Sequence, residues 1–168
     1  FGFSIAGATL VGQHLGAGDN QGASKVGWRA LWLSMFSMVL FGIAIAAYAE
    51  EIARYLIADH EVVRLTVVFI YIMALVQPLM AVEFTLGGCL RGAGDTRFPL
   101  IATMVGLCGI RVGLAGLFVL LQFSVEWIYA ALIGDYIVKA VMLLNRFHGS
   151  KWLQIFSSKE AHLGPRVA

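Results

Sequence analysis

Long apolar runs separated by short polar stretches set the pattern of this chain. A helix needs about 20 mainly apolar residues to cross the hydrocarbon core of a bilayer. About five such segments are predicted, over residues 1–15, 28–49, 65–90, 98–123 and 127–145. The first is short; the chain opens at Phe1 with neither a basic leader nor a cleavage site, so it reads as a fragment whose beginning is missing. The second carries no charge between Arg29 and Glu50. The third contains Pro78 and Glu83, the fourth Arg111, and the fifth Asp135 and Lys139.

A membrane β-barrel would need alternating apolar and polar residues in segments about half this long. Helices follow instead, because a segment surrounded by lipid must pair every backbone group within itself. The expected fold is therefore all-α, a polytopic bundle over 1–148 followed by a tail over 149–168. Pro78 removes a backbone donor and crowds the preceding turn, which predicts a kink in the third helix. Pro99 suits the first turn of the fourth.

Charge orients the bundle, since Lys and Arg collect on the cytoplasmic side of a membrane. One set of connections holds Lys25, Arg29, Arg91, Arg97, Arg146, Lys151, Lys159 and Arg166, and is expected inside with the C-terminus. The other, over 50–64 and 124–126, sets Arg54 and Arg64 against Glu50, Glu51, Asp59, Glu61 and Glu126, and is expected outside. Trp28, Trp32, Tyr48, Tyr55, Trp127 and Trp152 fall near span ends, where amphipathic rings favour the headgroup zone.

Composition agrees with a lipid solvent. Hydrophobic residues make up 60% of the chain and charged ones 13%, against about 45–50% and about 25% in soluble domains, and the mean hydropathy is +0.82. A net charge of +2 with scattered basic residues gives no nucleic-acid groove. Cys89 and Cys108 lack metal-binding spacing and each reads as a small buried hydrophobe. His14, His60, His148 and His162 show no ligand spacing, so no metal is expected. An intramembrane enzyme would need a paired-histidine motif, a Gly-x-Ser-x-Gly elbow or two aspartates at helical spacing, and the chain has none of these.

The tetrapeptide Gly-Ala-Gly-Asp occurs twice, at Gly16–Asp19 and Gly92–Asp95, each just after an apolar span. Internal repeats build many secondary transporters. The plainer reading of the loop glycines is that they end helices at positive φ. Neither copy has the Lys-Ser/Thr of a phosphate-binding loop. Two longer stretches contain these copies: Ala8-Thr9-Leu10-Val11-Gly12-Gln13-His14-Leu15-Gly16-Ala17-Gly18-Asp19 and Gly88-Cys89-Leu90-Arg91-Gly92-Ala93-Gly94-Asp95-Thr96-Arg97-Phe98-Pro99. Together with the fifth helix, Ala131 to Arg146, they resemble the multidrug and toxic compound extrusion (MATE) family over nearly the whole chain.

The resemblance implies twelve helices in two pseudo-symmetric lobes, and an antiporter that exchanges inward-moving protons or sodium ions for outward-moving, often cationic, drugs. It implies no cofactor beyond that coupling proton or Na+. This chain would then supply helices eight to twelve, one incomplete C-terminal lobe whose partners are the lipid bilayer, drug substrates and the missing N-terminal lobe. The implied location is the bacterial inner membrane. The first-helix aspartate that one bacterial branch uses for proton coupling belongs to the other lobe, so no coupling residue carries over from it. Some members place a carboxylate in the tenth helix about four turns before the loop aspartate. That position here is Met80, and Glu83 stands nearly one turn further on. A lipid-linked oligosaccharide flippase of related architecture would call for a more cationic cavity than one Arg and one Lys; an inactive truncated subunit is a further alternative.

Four ionisable residues lie within the predicted spans: Glu83, Arg111, Asp135 and Lys139. Near the bilayer centre each is disfavoured by about 2.5 to more than 10 kcal/mol, so a fold keeps one only with compensation or use. At about 1.5 Å per residue, Arg111 and Asp135 fall near the middle of their helices, and Glu83 and Lys139 roughly 10 Å from the basic ends of theirs. Depth thus predicts that Arg111 faces Asp135 and that Glu83 reaches Lys139, while Asp135 and Lys139 are themselves four apart on one face. This is either a fixed ion-pair network or a site where Glu83 or Asp135 exchanges a proton or cation, Glu83 having the better claim because it follows the Pro78 kink. Phe69, Tyr71, Met73, Met80 and Phe84 read as lipid- or helix-facing before they read as a drug surface. Gly12 and Gly16, Gly88 and Gly92, and Gly109 and Gly113 are each four apart, which suits close helix crossings.

Overall fold

The computed structural model describes residues 1–122, 125–149 and 151–156, with the backbone alone for 125–130. Phe123, Ser124, Lys159, His162 and Arg166 lie outside the described residues, as do the side chains of Glu126 and Trp127. Every regular element described is helical. Helix α1 spans Gly2–Gly16, α2 Asn20–Ala47, α3 Ala49–Leu56 and α4 His60–Gly92. A single rod follows, in which α5 (Arg97–Met104) passes through a π-helical segment, Val105–Val112, into α6 (Gly113–Leu120). Helix α7 spans Val125–His148, and a short helical stretch covers 151–156.

Among the described residues, three rods are long and apolar enough to cross a membrane: Asn20–Ala47, His60–Gly92 and Arg97–Leu120. Helix α1 stops at 15 residues, and α7 carries Asp135, Lys139 and Arg146 within its 24. At about 1.5 Å per residue, α4 is roughly 50 Å long, more than the hydrocarbon core requires. Trp32, Leu33, Phe36, Leu40 and Phe41 project from α2 into open surroundings, as do Leu75 from α4 and Leu120 from α6. Water would not tolerate so continuous an apolar surface, whereas acyl chains match it.

Helix α4 is the hub, packed against α1, α2 and α7. It runs parallel to α1 at very short range. A Cβ at Gly88 would collide with the backbone of Ser4, one at Gly92 with the backbone of Ala8, and one at Gly7 would stand 2.8 Å from Cys89 Sγ. The absence of side chains lets two backbones touch, which is how helices associate where no hydrophobic force separates them from lipid. Gly16, Gly109 and Gly113 do not share this role, for nothing lies within 4 Å of the Cβ each would carry. Spacing alone does not say which face of a helix meets a neighbour, and the fourth helix turns those two glycines outward. Cys108 is likewise exposed, so only Cys89 is the buried hydrophobe expected of both.

Helix α4 continues unbroken through Pro78. Proline removes the donor that Ala74 O would receive, and Gly42 of α2 closes on that carbonyl: a Cβ there would stand 3.1 Å from Ala74 O. Helix α2 starts at Asn20, not near Trp28, because the Asp19 side chain accepts a hydrogen bond from Gly22 N and caps a polar first turn. Within the acidic connection expected outside, residues 49–56 form the short α3. Its Ala49 and Ala53 face the bundle, and Glu50 pairs with Arg54 on the exposed side.

The two Gly-Ala-Gly-Asp copies fold alike. In each, the second glycine takes positive φ, 76° at Gly18 and 82° at Gly94. Asp19 N donates to His14 O and Asp95 N to Leu90 O, both at 2.9 Å. In each, the aspartate carboxylate accepts from a backbone N–H three residues on, Gly22 or Phe98.

Beyond α7, Trp152 is fully buried, stacks on Phe147 at a centroid distance of 4.8 Å and donates Nε1 to Phe147 O at 2.9 Å. Trp28 meets the same Phe147 edge-on at 5.5 Å. Trp152 is thus a core residue and not a headgroup anchor, since its indole N–H is already used inside the fold. Trp32, Tyr48 and Tyr55 are exposed, as such anchors should be.

Candidate functional site

Helix α7 places its ionisable residues by periodicity. Ala131, Asp135, Lys139 and Leu143 recur every four positions and are all buried, so one stripe faces the bundle. Opposite them stands Gly106 in the π-helical segment, where a Cβ would run into Asp135 Oδ1 and into Lys139 Cε and Cγ. Only glycine lets α7 bring both charges this close to the neighbouring rod. The π-helical winding, a local departure from α geometry that recurs at functional sites, also carries Arg111.

Four charges form a chain across three rods. Arg111 Nε lies 3.2 Å from Asp135 Oδ2. Lys139 Nζ lies 3.0 Å from Asp135 Oδ1 and 3.1 Å from Oδ2, and 3.4 Å from Glu83 Oε1. Both contacts expected from depth are therefore present, and so is the four-residue contact along α7. Asp135 has no exposed surface, whereas the Glu83 side chain keeps 15%. The Tyr136 ring serves both cations, 5.5 Å from the Arg111 guanidinium carbon and 5.1 Å from Lys139 Nζ. Isolated, these charges would be prohibitive at such depth; joined, each offsets the desolvation of the next.

Glu83 also borders a cavity of about 580 Å³ between α1, α4, α5 and α7. Phe1, Phe84 and Leu143 give it apolar walls, and Ser4, Thr9 and Thr103 bring hydroxyls. Arg91 closes one side, with Nη2 3.3 Å from Ser4 Oγ. Cavities of roughly 300–1,000 Å³ with apolar walls and a few polar groups suit small organic ligands. Pro78 lies elsewhere, in a shallow crevice that Tyr71 also lines, between α2 and α4.

A second ion pair escapes sequence reasoning. Arg146 on α7 reaches the second tetrapeptide, with Nη2 2.8 Å and Nε 2.9 Å from Asp95 Oδ2, and its guanidinium carbon lies 5.0 Å from the Phe98 ring centre. Asp95 is 4% exposed. The first copy differs, for the ion-pair contact of Asp19 is with His14 of its own turn, at 3.1 Å in an exposed position. Its carboxyl is held below the ordinary value of 3.8, first by the Gly22 N–H and then by His14. The signal that could have placed Arg146 is its register, eleven residues after Asp135 and so on nearly the same side of α7, but register alone does not name Asp95 as its partner.

Comparisons with known proteins extend this picture. The model of the MatE family matches residues 1–117. The probable multidrug resistance protein NorM of Thermotoga maritima is 30% identical over 156 residues, which cover 90% of this chain and 33% of that protein. Multidrug and toxin extrusion protein 1 of Homo sapiens is 25% identical over 168 residues, 99% of this chain and 29% of that protein. In structure the chain resembles a multidrug resistance MATE family transporter of the MOP superfamily in an inward-facing conformation. The TM-score is 0.78 at 23% identity, over 86% of this chain and 33% of that one, a likeness of fold. The chain thus spans about a third of the length of the curated relatives it matches.

Proposed function

The chain belongs to the MatE family of multidrug transporters, and from that premise we propose that it works as the C-terminal lobe of an antiporter that expels drugs in exchange for an incoming cation, with Glu83 as the exchanging group. The observation that carries this is the position of Glu83. It is the one member of the charge cluster with an ion-pair contact on one side, to Lys139, and the ligand-sized cavity on the other. Asp135 is sealed and holds two cations, so it anchors; Glu83 holds one and is reachable, so it exchanges.

Protonation of Glu83 would release Lys139 from it while leaving the Asp135 pairs in place, and would raise the charge of the cavity wall by one. A cationic drug is then less welcome. Drug and coupling cation compete for one negative charge, which is the simplest physical form of exchange. Alternating access further requires a second repeat against which this one rocks, so transport is assigned to the whole polypeptide with the N-terminal lobe in place.

The end of the bundle that carries Lys25, Arg91, Arg97 and Arg146 is assigned to the cytoplasm of a bacterial cell, with the C-terminus on that side. The test is drug efflux from vesicles containing the whole transporter under an imposed proton or sodium gradient. Glu83→Gln should abolish gradient-driven efflux while leaving the protein folded and membrane-inserted. Unchanged efflux by Glu83→Gln would remove the assignment.

A further inference from the structure

The Lys139 ammonium occupies an unusual place. It is set between carboxylates of two helices, 3.0 and 3.1 Å from the Asp135 oxygens and 3.4 Å from Glu83 Oε1, with the Tyr136 ring 5.1 Å away. Oxygen anions on several sides are the surroundings a bare metal cation would seek in this cluster. From this we propose that Lys139 is the residue that sets ion selectivity, a tethered cation standing where sodium would have to bind, so that the proton is the ion exchanged. The inference rests on the antiporter reading above and narrows it to one coupling ion.

Three features support it. The first is occupancy. The Lys139 side chain is 6% exposed, and its Cγ and Cε lie against Gly106, so the stem is clamped between α7 and the π-helical segment.

The second is charge. The groups that face Lys139 are Glu83 from α4, Arg111 from the π-helical segment, and Asp135 and Tyr136 from α7 itself. With two carboxylates against one guanidinium and one ammonium, the cluster sums to zero. A sodium ion added here would make three cations around two anions, at separations where little solvent screens them.

The third is ligand supply. A hard cation needs several oxygen donors at close range. Asp135 Oδ2 already meets both Lys139 and Arg111, and Oδ1, which makes no hydrogen bond, has the Lys139 ammonium 3.0 Å away, so a metal ion would reach these oxygens only by displacing that ammonium. A proton meets none of these obstacles. It adds to one Glu83 oxygen as a covalent O–H, breaks only the Glu83–Lys139 contact, and requires no added volume; on release, the carboxylate re-forms that contact.

Two measurements on the whole transporter test this. In proteoliposomes, drug efflux is followed under a proton gradient with sodium equal on both sides, and under a sodium gradient with pH clamped. In detergent, thermal stability is compared in sodium chloride and choline chloride. The wild type should respond to the proton gradient alone, and its melting temperature should be the same in both salts. Lys139→Gln opens the position, so its melting temperature should rise by a few degrees in sodium chloride, as a ligand of the folded state requires. Lys139→Arg keeps a cation there and should remain indifferent to sodium.

Efflux by the wild type under a sodium gradient alone overturns the selectivity role of Lys139 and leaves the antiporter reading standing. A folded Lys139→Gln whose stability is indifferent to sodium overturns that role equally. Efflux under neither gradient overturns the antiporter reading, and the selectivity role with it. Should Lys139→Gln fail to fold, the wild-type measurements decide by themselves.

Discussion

Asp135 and Glu83 are both carboxylates in the same ion-pair chain, yet substitution should affect them differently. Asp135→Asn leaves Arg111 and Lys139 facing a neutral amide in a buried position; removing one partner of a buried pair typically destabilises by about 3–5 kcal/mol. Loss of folded protein on heating, or poor recovery from the membrane, should report it. Glu83→Gln leaves Lys139 still paired to Asp135, so its effect should fall on transport and not on melting temperature. Outside the membrane spans, Asp19 offers a titration. Its lowered carboxyl value means that its contribution to stability is complete above 3.8 and is lost as pH falls through the lower, folded value. Asp19→Ala should therefore narrow its stability gap to the wild type as the pH is taken below 3.8 in thermal melts. At this scale the sequence was readable where depth is decisive. Glu83, Arg111, Asp135 and Lys139 had few partners at matching heights. Asp95 with Arg146 was not readable, because charges at the end of a span have solvent as an equal alternative, and only tertiary packing decides.

Helix α4 meets α1 backbone to backbone, which makes that crossing the part of the fold least able to absorb added atoms. Gly92→Val should force the two helices apart, with a loss of at least the roughly 1–3 kcal/mol usual for overpacking, visible as a lower melting temperature in detergent. Gly109→Val, on a glycine with open space around it, should be nearly silent in the same assay. The contrast tests the packing directly. Apolar run length located α2, α4 and the α5–α6 rod well. It could not locate their polar ends, because a capped first turn such as that after Asp19 is hydrophilic yet helical. Nor could it reveal the π-helical segment, whose residues are as apolar as their neighbours; the winding becomes apparent only through Gly106 and Arg111, the residues that it brings to α7.

Across the whole molecule, the tetrapeptide turns, Trp152 and the Arg146 pair gather at one end of the bundle, while α3 lies at the other. Cysteines introduced at Arg97 and Lys151, in a background lacking Cys89 and Cys108, should both react with an impermeant thiol reagent from the same face of sealed vesicles. Reaction from opposite faces would invert half the bundle. The two Gly-Ala-Gly-Asp turns share one backbone course, but their aspartates have different duties. Asp19 does little beyond starting a helix, which Asn or Ser can also do. Asp95 accepts from Phe98 N at the start of α5 and also fastens α7 through Arg146, which a neutral residue cannot. A saturation scan of codons 19 and 95 should accordingly be lopsided: a permissive first copy and a nearly invariant second, twins in shape that have ceased to be interchangeable.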